Sequence, residues 1–376
     1  MKNNRKRAGL ITIFNLPNYG SVLQAYATQM IIESFNYDCL VINYDYQYSD
    51  WYKSHTKSRP SWKYKYLGFL GLTKNHRKYK KLQEFCKSHL HLTDHFINGT
   101  SLKDQNWSNY NLFISGSDQI WNPRFTYGDP IFMLSFVPDN IKKIAISSSF
   151  SCKNIEDKFL GSFKKYLSRF EAISIREING LSILKNQIKF SKDCAVTLDP
   201  TLLVDKQKWF ELDSNKFSNI RGQYILIYMM EYAFDPKPII FDVIQFYERK
   251  LGVEAICLEG NIDKATKEKL KIKDLSDSSI EDFISLFRNA AIIVTSSFHG
   301  TAFALNFGIP LVSIVQCDGN KDDRQSTIIN ALHLNNCLCK LNDDLQDLNP
   351  FYDKEKEQHE LSILRKRSLN WIMSHL

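Results

Sequence analysis

The chain has 376 residues, 43% of them hydrophobic and 24% charged, and carries a net charge of +8. That length exceeds one ordinary core, so two domains are expected, and the composition is that of a soluble globular protein. No run is long and apolar enough for a transmembrane helix, and the basic start MKNNRKR precedes only LITIF, too short for a signal-peptide core. The eight cysteines show no CxxC spacing, which argues against a disulfide framework and for reduced thiols in the cytoplasm. Cys337 and Cys339 read as packing in a strand. The positive balance favours acidic ligands or an anionic surface.

Residues 9–45 read as a strand–helix–strand unit. GLITIF is an apolar strand and NLPNYGS a turn; Val22, Leu23, Ala25, Tyr26, Met30 and Ile31 form a helical stripe, and CLVINYDY is the next strand. The turn is rich in residues that cap helices or accept positive φ, so Asn18 and Gly20 sit among backbone N–H groups at the carboxyl end of the first strand. The unit lacks GxGxxG, and no dinucleotide is indicated. Residues 46–105 form a basic insertion in which Trp51, Tyr52, Trp62, Tyr64, Tyr66 and Phe69 are interleaved. Such composition suits nucleic acid or an anionic membrane surface. With no recognised nucleic-acid motif, peripheral membrane or acceptor contact is preferred, against a solvated insertion whose aromatics pack on the domain. His89, His91 and His95 lie in this variable segment and are assigned no metal.

Four more strands end in polar residues. NLFISGSDQIWNP places Gly116, Ser117, Asp118 and Gln119 just past a strand; KKIAISSSF ends in Ser147–Ser149; EAISIREING ends in Arg176 and Glu177; CAVTLDPTLLV ends in Asp199 and Thr201. Repeated polar strand ends are how a cleft is lined. A second sheet restarts at GQYILIYMM, with a helix over 238–250, the strand VEAICLEG and the amphipathic helix IEDFISLFRNA. The polar stretch 205–222 marks the boundary, giving domains 1–212 and 213–354 and a basic amphipathic helix 355–376 that packs back on the first domain.

From Ala290 to Val315 the pattern is strand, turn, helix, strand. Ile292–Val294 is a buried strand, and Thr295-Ser296-Ser297-Phe298-His299-Gly300-Thr301 is the turn. An apolar helix follows and stops at Gly308, and a strand runs from Leu311 to Val315. His299 and Gly300 fall where an open α/β sheet binds its ligand, beside a helix dipole suited to an anion. The alternative is that His299 only caps a helix.

In order along the chain, GLITIFNLPNYGSVLQAYA, FISGSDQIWN, ISIREING with TLDPTLL, and VTSSFHGTAFALNFGIP resemble the polysaccharide pyruvyl transferase family. The match covers most of the chain outside 46–105. The resemblance implies an α/β fold of two Rossmann-like domains facing a cleft, of the glycosyltransferase-B type. It also implies transfer of pyruvate from phosphoenolpyruvate, as co-substrate, to a sugar of a capsule or exopolysaccharide precursor, forming a ketal and releasing phosphate. The acceptor would be a carbohydrate or lipid-linked oligosaccharide at the inner face of the membrane. No other cofactor, metal or nucleic acid is implied. His299 matches the family's histidine and Arg176 the arginine after the ISxRE strand. Ser297 stands where some characterised members have arginine.

On this reading the donor is held by Arg176, Ser297, Gly300, Thr301 and Arg324, because a small polyanion needs guanidinium forks and N–H groups. The alternative for Arg324 is a surface arginine paired with Asp322 or Asp323. His299 is the general acid, since imidazole titrates near neutrality, or a donor to the phosphate. Asp118 orients or deprotonates the acceptor, its alternative being an Asx-turn. Asn18, Gly20, Ser117 and Gln119 shape the acceptor side. Two other readings stay open: a nucleotide-sugar glycosyltransferase of the same fold, and a non-catalytic surface-polysaccharide assembly protein.

Overall fold

The structure is a computed structural model that describes residues 5–56, 73–316 and 323–376. It divides into two units. Unit 1 comprises residues 5–56, Gln83–Leu203 and Leu364–Leu376; unit 2 comprises 73–82 and the described part of Val204–Ile363.

In unit 1 the strands are β1 (Lys6–Ile11), β2 (Tyr37–Tyr44), β3 (Leu92–Phe96), β4 (Leu112–Ser115), β5 (Lys142–Ser148), β6 (Ala172–Ile175) and β7 (Asp193–Val196). They form one sheet in the order β3-β2-β1-β4-β5-β6-β7, with every pairing parallel. In unit 2, β8 (Tyr224–Tyr228), β9 (Glu254–Glu259), β10 (Lys273–Asp274), β11 (Ile292–Thr295), β12 (Leu311–Val315) and β13 (Leu338–Lys340) make a second parallel sheet, ordered β10-β9-β8-β11-β12-β13. The central strands LFIS, AISI and YILIY are buried throughout. Helices on both faces of a parallel sheet leave no wet side, so these strands read as unbroken apolar runs instead of alternating.

Five helices matter below: α1 (Tyr19–Ser34), α2 (Lys74–His89), α3 (Phe298–Phe307), α4 (Arg324–Ala331) and α5 (Lys354–Ser374). In unit 1, α1 carries the chain from β1 to β2, after which the order jumps from β3 back to β4 beside β1. In unit 2 the same jump places β11 beside β8. At such a reversal the loops leaving the two neighbouring strands diverge and open a crevice at the carboxyl edge. Each unit therefore has one such point, β1/β4 in unit 1 and β8/β11 in unit 2.

Three regions can be set beside the sequence expectations. The boundary lies at Leu203/Val204, upstream of the polar stretch, because residues 206–210 fold into a short helix. Its Trp209 ring packs edge-on to Phe303 at 5.2 Å, and Phe210 lies 4.2 Å beneath the Arg288 guanidinium. The segment 46–105 is built into the units where it is described. Its β3 is an edge strand, Trp51 Nε1 donates to the Tyr127 carbonyl at 3.2 Å, and Lys78 of α2 pairs with Glu259 of β9 at 2.6 Å. Trp62, Tyr64, Tyr66 and Phe69 lie outside the described residues. The terminal helix is shared. Early in α5, Gln358 Nε2 donates to the Leu305 carbonyl at 2.9 Å in unit 2. Its end belongs to unit 1, where Trp371 Nε1 reaches Asp193 at 3.0 Å and the Tyr37 hydroxyl donates to the Leu376 carbonyl at 2.8 Å. Among the described residues, no helix is long and apolar enough to cross a membrane.

Candidate functional site

At the β1/β4 point of unit 1, the loops after the two strands are tied together before any ligand arrives. Thr12 Oγ1 donates to the Ser117 carbonyl at 2.9 Å, and the buried Gln24 amide of α1 reaches Thr12 Oγ1 at 2.9 Å and the Ile13 carbonyl at 3.0 Å. Gly116 is required by this approach: a Cβ there would stand 2.8 Å from Leu10 Cδ1 and 3.3 Å from the Ile11 carbonyl. Asn18 is the N-cap of α1, its side chain accepting from Ser21 N at 3.2 Å.

Beyond Gly116 the chain delivers Asp118 with φ +72°, a left-handed conformation costing an L-residue about 1 kcal/mol. One carboxylate oxygen of Asp118 accepts from the Ser21 hydroxyl at 2.6 Å; the other accepts from Gln119 N at 2.8 Å and from Arg176 Nη2 at 3.2 Å. Arg176 Nη1 meets Asp199 at 2.6 Å. The second Asp199 oxygen takes the Thr201 N–H at 2.9 Å and the Thr201 hydroxyl at 2.7 Å. The Ser117 hydroxyl lies 2.7 Å from Asp199 and 2.9 Å from the Ser147 carbonyl. The Arg176 and Asp199 side chains have no solvent exposure, and that of Asp118 has 11%. Burial of three charges holds only when they are paired and hydrogen-bonded, as here.

Unit 2 builds its β8/β11 point differently. Thr295, ending β11, donates its hydroxyl to the Tyr228 carbonyl at 2.6 Å and accepts from Ser297 N at 3.0 Å. Ser297 is the N-cap of α3, with its Oγ 3.5 Å from Gly300 N. A Cβ on Gly300 would lie 2.2 Å from Thr295 Oγ1, so only glycine lets α3 start this close to the strand. The whole of α3 is buried, as an all-round apolar helix must be. Thr301 Oγ1 sits 2.8 Å from Ser313 Oγ of β12, and Gln325 Nε2 donates to that same Ser313 oxygen at 2.8 Å. Arg324, at the start of α4, is 2% exposed. Its guanidinium lies 5.6 Å from the Phe298 ring centroid, and Nη2 reaches the Tyr232 hydroxyl at 3.3 Å. His299 is 6% exposed, with its ring edge-on to Phe298 at 5.3 Å between centroids. A helix start carrying a histidine, with an arginine on its first ring, is suited to bind an anion and move a proton.

The structure thus gathers His299, Ser297, Gly300, Thr301 and Arg324 at one point of unit 2, and Asn18, Gly20, Ser117, Asp118, Gln119 and Arg176 at one point of unit 1. The surroundings of these side chains bear on their expected roles. Arg176 has its side chain enclosed, with its two terminal nitrogens on two carboxylates. Ser117 is fully buried, with its hydroxyl turned to Asp199 and the Ser147 carbonyl. Ser297 and Asn18 spend their side chains on caps, Thr301 turns inward to β12, and Gly20 is a buried residue of the first turn of α1. Gln119 accepts from Asn122 Nδ2 at 2.9 Å. Arg324 is not a surface arginine. Ser21, Asp199 and Tyr232 were missing from the expected site. The first two were visible as polar strand-end and turn residues, whereas Tyr232 sits in a loop without periodicity. Among the described residues, no group of three or more His, Cys, Asp or Glu is placed to hold a metal.

The profile of the family described as polysaccharide pyruvyl transferase matches residues 18–318. No curated protein matches the chain. Among solved structures, the S. aureus MnaA–UDP co-structure is similar at 11% identity over 94% of each chain, with a TM-score of 0.51. UDP-N-acetylglucosamine 2-epimerase from Rickettsia bellii is 11% identical over 99% of this chain and 97% of its own, with a TM-score of 0.50. An alpha-glucosyltransferase in complex with UDP and a 13-mer DNA is 10% identical over 99% and 100%, with a TM-score of 0.50. At this identity the likeness establishes the fold: two Rossmann-like domains of the glycosyltransferase-B type.

Proposed function

Because the chain belongs to the polysaccharide pyruvyl transferase family, we propose that it transfers pyruvate from phosphoenolpyruvate to a carbohydrate, closing a ketal across two hydroxyls and releasing phosphate. The observation that carries the reading is Arg324, 2% exposed and 5.6 Å from the Phe298 ring, at the helix start that bears His299. A guanidinium removed from water interacts strongly with phosphate or carboxylate, and the α3 dipole adds to it.

The chemistry assigns one proton to each key residue. His299 protonates the methylene carbon of phosphoenolpyruvate, leaving a cationic centre at the carbon that bears the phosphate. A first acceptor hydroxyl bonds to that carbon as Asp118 takes its proton. The second hydroxyl then bonds there as the carbon–oxygen bond to phosphate breaks. Of the two protons the hydroxyls give up, one replaces that lost by His299 and the other leaves with phosphate. A surface-polysaccharide precursor, lipid-linked at an anionic membrane face, is an acceptor compatible with the net charge of +8.

A second reading is favoured by the solved structures whose names include UDP: the start of α3 suits a diphosphate as well as a phosphate. Calorimetric titration separates the two. Phosphoenolpyruvate should bind the native protein, and Arg324→Gln should weaken it about tenfold or more, the loss of one charged hydrogen bond. Saturable binding of UDP or a UDP-sugar without response to phosphoenolpyruvate replaces pyruvyl transfer by glycosyl transfer.

A further inference from the structure

We propose that Arg176 is a positioning residue and not a donor ligand: with Asp199 it forms an internal clamp that fixes Asp118 as the base for the acceptor hydroxyl. The inference rests on the role given to Asp118 above. Three observations carry it.

The first is enclosure. The Arg176 side chain has no exposure, and its two terminal nitrogens go to different carboxylates, Asp199 at 2.6 Å and Asp118 at 3.2 Å. The second is asymmetry. Asp199 is fully enclosed and anchored by Thr201 N, the Thr201 hydroxyl and Ser117, whereas Asp118 alone of the three keeps 11% side-chain exposure. The third is aim. Asp118 sits at φ +72° and is fixed by the Ser21 hydroxyl at 2.6 Å and Gln119 N at 2.8 Å, so its carboxylate points one way.

Asp199 has a distinct task. An arginine spent wholly on Asp118 would hold it ionised but make it a poor base. Asp199 has the shorter contact and takes the other arm of the guanidinium, so Asp118 is held by one Arg176 N–H instead of a two-armed fork. Two carboxylates and one guanidinium leave the cluster with one negative charge. The buried Tyr46 phenol also faces Asp118; burial above all, with a smaller contribution from Asp118, pushes its pKa up and keeps it neutral.

The test is the charge-balanced double variant Arg176→Gln/Asp199→Asn. Arg176→Gln alone would strand two buried carboxylates and invite unfolding, whereas the pair removes one charge of each sign. The double variant should fold and bind phosphoenolpyruvate within about threefold of the native protein, while kcat falls about a hundredfold. In carbon-13 carboxyl NMR, the Asp118 resonance, assigned by its loss in Asp118→Asn, should change shift and broaden in the double variant, because the carboxylate loses the Arg176 N–H that fixes it. Phosphoenolpyruvate binding weakened by about tenfold or more makes Arg176 a donor ligand and overturns the proposal. An Asp118 resonance that keeps its native shift and width overturns it whatever the donor. A native protein that ignores phosphoenolpyruvate counts against pyruvyl transfer, and the NMR comparison still decides the clamp.

Discussion

The two carboxyl-edge crevices share a topology and differ in what fills them. Each has a capping residue on the helix that leaves the loop, Asn18 or Ser297, and a glycine at the closest approach, Gly116 or Gly300. In unit 1 the space is packed with charge, and Arg176 is consumed by Asp118 and Asp199. In unit 2 it is packed with rings and hydroxyls: Phe298, the Tyr232 phenol and the Thr301–Ser313–Gln325 set, with Arg324 against the first two. Two arginines that look alike as strand-end or helix-start residues thus meet different neighbours, two carboxylates at Arg176 and, among others, a ring and a phenol at Arg324. Topology places a site, and the neighbours of each charge decide whether it serves a ligand or the fold.

The comparison breaks most easily at His299. If unit 2 carries the proton transfer, His299→Ala should lower kcat by about a thousandfold, within the usual range for losing a general acid. Phosphoenolpyruvate affinity should stay close to native, while the cavity left by the buried ring lowers stability by about 2–3 kcal/mol. Turnover that survives the substitution would strip unit 2 of its catalytic part and leave it a binding surface.

Gly300→Ala tests the packing of that same point, and its effect should be on the fold. The new methyl would stand 2.2 Å from Thr295 Oγ1 and 2.9 Å from Tyr228 Cδ1. Thr295 cannot rotate away cheaply, because its hydroxyl both donates to Tyr228 and accepts from Ser297 N. A loss of roughly 3–4 kcal/mol is expected, the upper end for overpacking with broken buried hydrogen bonds. Calorimetric unfolding checks it. A transition that does not move would mean that α3 can slide, and that the glycine is there for a ligand.

The fold was largely legible because parallel strands buried on both faces appear as apolar runs: LFIS, AISI, YILIY and IIVT all fall in the sheets. Strand β3 was not, since LTDHF is a polar edge strand with two exposed residues. For the site, the strand-end positions were readable and the partners were not. Asp118, Arg176 and Asp199 come from three different strand ends, and no local pattern announces that they share one cluster. Arg324 read equally well as surface or site, because the Phe298 ring and the Tyr232 hydroxyl that lie against it are far from it in sequence.

The smallest effect belongs to a pair outside both crevices. Asp129 is buried, its carboxylate accepting from the Tyr44 hydroxyl at 2.7 Å and from Ile131 N at 3.0 Å. Burial pushes its pKa up to about 6, against the smaller lowering by those hydrogen bonds and by His55. A carboxyl group that holds its proton more tightly when folded gives its full stabilisation below the unfolded pKa of about 3.9 and loses it as pH rises toward 6. Asp129→Asn cannot ionise, and its amide can still accept from Ile131 N. Its stability relative to native should therefore rise across that window, by up to about 3 kcal/mol. Urea unfolding of native and variant at pH 4 and pH 8, with both transitions assigned, reads the change. A difference that stays constant with pH would show that Asp129 remains ionised inside unit 1, stabilised by its two donors.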